Sequence, residues 1–83
     1  MKTTRYFDEQ VLRKRPYLLA EWFEGFQSKA IKRSVQDDGR IRYWVGITTA
    51  GDARKRWLRI VCLDDDETIH NAFLDRDFEE PPP

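Results

Sequence analysis

The stretch Ile31-Lys32-Arg33-Ser34-Val35-Gln36-Asp37-Asp38-Gly39-Arg40-Ile41-Arg42-Tyr43-Trp44-Val45-Gly46-Ile47 decides the fold. Ile31, Arg33 and Val35 alternate with Lys32, Ser34 and Gln36. Beyond Asp37-Asp38-Gly39, Ile41, Tyr43, Val45 and Ile47 alternate with Arg40, Arg42, Trp44 and Gly46. A period of two on both sides of Asp-Asp-Gly predicts an antiparallel hairpin. Loop length then fixes what each face carries, because a one-residue slip turns every side chain over. A two-residue loop at Asp38-Gly39 sets Val35 against Arg42 and splits the apolar residues between faces. A three-residue loop with Gly39 left-handed pairs Val35 with Ile41, Arg33 with Tyr43 and Ile31 with Val45. That register gathers the apolar set on one face, and it is the one predicted.

Toward the C-terminus, residues 48–56 read as a polar connection containing Ala50-Gly51-Asp52 and the basic triplet Arg54-Lys55-Arg56. Trp57 to Leu63 and Thr68 to Leu74 read as strands joined by the turn Asp64-Asp65-Asp66-Glu67. A four-residue loop pairs Leu63 with Thr68, Cys62 with Ile69, Ile60 with Asn71 and Leu58 with Phe73. This assigns Leu58, Ile60, Cys62, Ile69 and Phe73 to the core face, and Trp57, Arg59, Val61, His70 and Ala72 to the other.

Toward the N-terminus the period becomes helical. Leu18, Trp22, Phe26 and Ala30 share a helix face over Tyr17–Ala30, with Leu19 and Phe23 widening the stripe, Pro16 at the first helical position and Gly25 weakening the last turn. A shorter helical turn is expected over Asp8–Lys14, capped by Asp8, with Val11 and Leu12 inward. Residues 1–7 are expected to be frayed or an edge strand, and residues 79–83 a disordered acidic and proline-rich tail. The sum is an α+β fold: one or two N-terminal helices packed on one face of a four-stranded, mainly antiparallel sheet.

At 83 residues the chain holds a single domain with a thin core. No apolar run reaches the ~18 residues of a membrane span. The 15 basic and 15 acidic residues cancel, which excludes a strongly basic chromatin-type protein and an acidic disordered chain. Yet residues 1–60 hold 14 basic and 7 acidic residues, a balance of +7, and residues 61–83 hold one basic and eight acidic, a balance of −7. That asymmetry predicts a polyanion-binding surface plus an acidic segment, or two solvated faces. The opening Met1-Lys2-Thr3-Thr4-Arg5 lacks the apolar stretch of a signal peptide, and Cys62, the single cysteine, reads as a small core residue. A cytoplasmic protein is expected. One histidine and one cysteine are too few nitrogen and sulfur ligands for zinc, the acidic turn lacks the spacing of a calcium loop, and no glycine-rich phosphate loop occurs. No metal and no cofactor are expected.

The sheet face away from the helices collects Lys32, Ser34, Gln36, Arg40, Arg42, Trp44, Trp57, Arg59 and His70. Cations neutralise phosphates and tryptophans stack unpaired bases, so this set points to nucleic acid; cross-strand shielding of the backbone is the plainer reading.

Several phrases resemble the small bacterial toxins of the RelE and BrnT type. They are residues 11–18, Val35-Gln36-Asp37-Asp38-Gly39-Arg40-Ile41-Arg42-Tyr43-Trp44, Trp57-Leu58-Arg59-Ile60-Val61, and residues 68–76. The resemblance implies helices on a curved antiparallel sheet whose free face cleaves RNA without a metal. It implies a metal-independent endoribonuclease of toxin–antitoxin type, acting on single-stranded or ribosome-bound mRNA, with a cognate antitoxin as partner. By that resemblance Arg42 and Arg59 hold the scissile phosphate, and His70 is acid or base. Lys32 and Arg40 position phosphates, and Trp44 and Trp57 stack bases. The neutral net charge departs from the strongly basic toxins. The alternative is a non-catalytic module of the same fold that binds nucleic acid or protein.

Overall fold

The hairpin forms in the register that segregates the apolar residues. The computed structural model describes residues 1–49 and 51–82. In it, β1 (Lys32–Val35) pairs antiparallel with β2 (Ile41–Thr49), setting Val35 opposite Ile41 and Arg33 opposite Tyr43. The Gln36 N–H closes the loop on the Arg40 carbonyl at 2.7 Å, leaving Asp37, Asp38 and Gly39 between them. Gly39 is left-handed at φ +86°, a conformation that costs other residues, and the Asp38 carboxylate accepts from the Arg40 N–H at 2.9 Å.

A second hairpin leads from β2 into β3 (Asp52–Cys62), and β4 (Ile69–Leu74) completes an antiparallel sheet in the order β1-β2-β3-β4. The expected polar connection is therefore mostly strand: Ile47 pairs with Arg56 and Thr49 with Asp52. Polar side chains do not break a ladder where an arm reaches past the core into water, and the β-branched Thr48 and Thr49 favour it. Ala50 and Pro83, part of the expected connection and tail, lie outside the described residues.

Between β3 and β4 the expected register holds only beside the turn, where the Leu63 N–H donates to the Thr68 carbonyl at 2.9 Å. Cys62 faces Ile69, but Val61 faces Asn71, so His70 is the extra residue of a bulge. Beyond it Ile60 faces Ala72, Arg59 faces Phe73 and Leu58 faces Leu74. Without the bulge the Asn71 amide would lie in the core beside Ile60, at the cost of an unpaired polar group. With it, Ala72 enters the core, fully buried, while Asn71 and Phe73 turn to the opposite face.

The helical layer is more broken than its periodicity predicts. Residues 5–14 are helical, a wide π-turn over Phe7–Val11 passing into α1 (Leu12–Lys14). Thr4 rather than Asp8 starts it: its hydroxyl accepts from the Phe7 N–H and its carbonyl from the Asp8 N–H, both at 3.1 Å. Phe7 and Val11 are buried, and Leu12 is exposed. Tyr6 and Phe7 are thus helical, whereas residues 2–4 run beside β4. There Ile69 donates to the Lys2 carbonyl at 2.9 Å, and the Thr4 N–H donates back to Ile69 at 3.0 Å. The single helix expected over Tyr17–Ala30 is a 3-10 turn (Ala20–Phe23) and a short α2 (Phe26–Lys29), divided by Gly25 at φ +61°. Each piece spans about one turn, so Leu18, Trp22, Phe23 and Phe26 still reach the core, but Leu19 turns outward.

These side chains cover β2, β3 and β4. Phe26 meets Tyr43 edge-on at 5.2 Å and Phe7 meets Phe23 at 5.6 Å, above the fully buried Leu58, Ile60, Cys62 and Ile69. The cover ends before β1. Ile31 and Val35, expected beneath the helix, are 45% and 58% exposed.

Two substitutions test these roles. Leu58→Ala is expected to lower the unfolding free energy by about 2–5 kcal/mol through the cavity it leaves, read by urea denaturation. Gly39→Ala is expected to cost about 1–2 kcal/mol from left-handed strain alone. A stability unchanged by Gly39→Ala would show that the loop does not depend on that conformation.

Candidate nucleic-acid interface

Register places Lys32, Trp44, Arg59 and Phe73 directly opposite one another in a single row across all four strands, on the face away from the helices. Cation and ring alternate along it. The Lys32 ammonium lies 5.4 Å from the Trp44 ring, and the Arg59 guanidinium 5.9 Å from Trp44 and 4.4 Å from Phe73. Arg15, just past α1, closes the row 5.7 Å from Phe73. The adjacent row holds Ser34, Arg42, Val61 and Asn71. Arg42 lies against the Gln36 amide, whose carbonyl oxygen is best placed toward the guanidinium. On the other side Trp57 lies opposite Gly46, where a Cβ would come within 3.1 Å of the indole; Lys55 sits 5.5 Å over the same ring.

The C-terminal segment crosses this face. The Asp75 N–H donates to the Trp57 carbonyl at 2.8 Å, extending the ladder past β4. Asp75 Oδ2 accepts from Trp44 Nε1–H at 3.0 Å and lies 3.3 Å from Arg59 Nε. The Arg59 contact is ionic rather than an aligned hydrogen bond, since the buried Nε–H points at no acceptor. Phe78 stacks on Trp44 at 5.1 Å and meets Trp57 edge-on at 5.2 Å. Trp44 is consequently buried, and it and the buried Val61 lie outside the main core.

Of the residues singled out in the sequence, Lys32, Arg42, Trp44, Trp57 and Arg59 converge here. His70 does not join Arg59. The bulge replaces the expected Val61 partner by Asn71 and leaves His70 three positions along β4 from Phe73, roughly 10 Å of strand. Its ring instead stacks on Tyr6 at 4.9 Å, with Nδ1 3.0 Å from the Thr4 hydroxyl. That hydroxyl already accepts from the Phe7 N–H and can donate to Nδ1, which suits a neutral ring carrying its proton on Nε2. Burial first, and then the charge of Arg40, hold His70 below the ordinary histidine range. Arg40 stays near the hairpin loop, 3.9 Å from Asp38.

No known protein family, curated protein or solved structure matches this chain.

Phe73, Asp75, Phe78 and Arg15 were not foreseen as parts of this face. Phe73 becomes visible only with the bulge, and the −7 balance of residues 61–83 predicts an acidic segment without placing it on the basic face. Other polar groups have structural work. Tyr43, buried on the core face, donates to Asp66 at 2.6 Å and accepts from Arg33 at 3.2 Å, which ties the acidic turn to β1 and β2. Burial pushes the Cys62 thiol up to about 12, so it stays protonated and inert. Among the described residues no group of histidine, cysteine, aspartate and glutamate is arranged to hold a metal, and no helix is long and apolar enough to cross a membrane.

The His70 environment has a measurable consequence. The unfolded chain binds a proton near pH 6.5 and the folded chain only at lower pH, so protons favour unfolding in that window. The histidine contribution to stability is full above pH 6.5 and is lost as pH falls through the folded value. Urea midpoints measured from pH 7.5 to 5 are expected to fall, with a shallower slope in His70→Gln. An identical slope would place the effect elsewhere.

Proposed function

We propose that this chain is a non-catalytic binding module for single-stranded RNA, using the face built on Lys32, Trp44, Arg59 and Phe73. The observation that carries this reading is the alternation of cation and ring in one cross-strand row, flanked by Arg42 and by Trp57 with Lys55. Phosphates run along cations and bases stack on rings, so such a row suits a strand without reading its sequence; Trp57 and Phe73 are partly exposed, whereas Trp44 lies under Phe78. Ser34 and Asn71 in the neighbouring row supply neutral polar groups suited to a 2′-hydroxyl. The resemblance to the RelE and BrnT toxins points to RNA as well.

Binding is favoured over the endoribonuclease reading by where His70 lies. In-line attack of a 2′-hydroxyl needs an acid or base within hydrogen-bond reach of the phosphate. Arg59 and Arg42 sit in adjoining rows, but the one histidine is engaged with Thr4 and Tyr6. The same face without that group binds the strand but lacks a histidine to take the 2′-hydroxyl proton or to protonate the leaving oxygen.

Fluorescence anisotropy with a labelled 12-mer of uridine tests the proposal. Wild type is expected to bind weakly at low salt, with a Kd on the order of 10 µM that rises steeply with salt. Lys32→Gln and Arg42→Gln are each expected to weaken binding about threefold to tenfold and reduce the salt slope by about one. The RNA is expected to remain intact. Absence of binding at about 100 µM protein in low salt, beyond the usual range for non-specific contacts, overturns the reading. Cleavage that is lost in His70→Ala restores the enzyme.

A further inference from the structure

The C-terminal segment is made of groups that imitate the ligand of the face it covers. Asp75 brings a carboxylate to the one place where Trp44 Nε1–H and Arg59 converge. Phe78 brings a planar ring parallel to Trp44, 17° off its plane, with the edge of Trp57 beside it. Asp77 and Glu79 follow the same path beside Lys32 and Arg42. Asp75 and Asp77 before the ring of Phe78, and Glu79 and Glu80 after it, interrupted by Arg76 alone, have the chemistry of a short nucleotide strand.

The segment also divides what would otherwise be one trough. On one side of Phe78 lies a groove of about 440 Å³ lined by Lys32, Arg42, Trp44 and Arg59. On the other lies a groove of about 750 Å³ lined by Arg54, Lys55, Arg56 and Trp57. Phe78 lines both. Its contacts are a stacked ring and an edge, which one competing ring can replace. Among the described residues, main-chain pairing of the segment with the sheet ends at Asp75.

Resting on the RNA reading above, we infer that residues 75–80 are a displaceable internal mimic: Asp75 fills a phosphate subsite at Arg59 and Trp44 Nε1, Phe78 fills a base subsite on Trp44, and RNA binds by lifting the segment off. Its removal joins the two grooves and uncovers Trp44. A chain of zero net charge thereby keeps its basic surface satisfied until a stronger polyanion arrives.

Two measurements on the full chain separate this inference from the RNA reading. The first needs no RNA. Hydrogen exchange of Trp44 Nε1–H, followed by NMR, is expected to proceed through local opening, at least tenfold faster than the amide of Ile60 relative to their intrinsic rates, and faster again in Phe78→Ala. Exchange of the indole only with global unfolding would make the segment a fixed part of the fold and overturn the inference. The second is uridine 12-mer binding by Phe78→Ala and by Asp77→Asn/Glu79→Gln/Glu80→Gln. Each is expected to bind about threefold to tenfold more tightly than wild type. If wild type and variants bind equally, the RNA reading stands and the mimic is overturned. Weaker binding by Phe78→Ala overturns it too, because Phe78 would then belong to the RNA site. If none of them binds, the RNA reading and the nucleotide identity of both subsites fall together, and the exchange result alone decides whether the segment opens.

Discussion

Every functional statement about this chain depends on parity, and parity is set by three residues. Asp37-Asp38-Gly39 has room for one loop geometry because Gly39 accepts a left-handed backbone and Asp38 turns back to hold the Arg40 N–H. One residue fewer would have turned β1 over against β2, setting Val35 opposite Arg42 and taking Lys32 out of the row with Trp44. β2 itself is held by Ile41, Tyr43 and Val45 in the core, since turning it would bury a guanidinium without partners and put three large apolar groups in water. The face with Lys32, Trp44 and Arg59 is thus a by-product of core formation. Alternation hands to one side whatever the core does not use.

This explains why so much was legible in the sequence around that loop. The α+β class, four strands, the β1–β2 pairing and the placement of Lys32, Arg42, Trp44, Trp57 and Arg59 on one face follow from alternation and a glycine. Legibility stopped where a single position breaks the alternation. The bulge at His70 reverses Asn71, Ala72 and Phe73, and no glycine or proline in Ile-His-Asn-Ala-Phe-Leu marks it. The physical signal is the asparagine, since an amide facing Ile60 would have had no partner. Weighing that cost would have moved Phe73 into the row with Arg59 and separated His70 from it. The helical layer failed for another reason. Spacing reports which residues face inward, and it did so for Trp22 and Phe26, but two turns interrupted at Gly25 give the same spacing as one helix.

The ring and ion contacts across the free face show how a neutral protein carries a strongly divided charge. Arg59 sits between two aromatic faces and a carboxylate, with only about a fifth of its side chain exposed. A guanidinium tolerates that site because it is weakly hydrated and flat, which a lysine ammonium is not. Asp75 is the member that binds the face together, touching both Arg59 and Trp44, whereas Phe78 stacks on rings. Electrostatic attachment at one residue and stacking at the next are separable, and RNA carries both kinds of group.

The contact between the first residues and the last strand sets an order of events in folding. Successive strands of the sheet are neighbours, so each pairing closes a short loop. The Thr4 hydroxyl meets His70 across 66 residues of sequence, and Lys2 and Thr4 bracket Ile69. Closing a loop of that length from the open chain costs about 4 kcal/mol in entropy, more than a few hydrogen bonds return. Once the meander has formed, most of that distance has already been spanned. The N-terminal segment is made first on the ribosome, yet it has nothing to dock on until β4 exists. For the time it takes to synthesise the rest of the chain, Phe7 and Val11 have no core, and the helix that carries them is too short to persist alone. The beginning of this protein folds at its end.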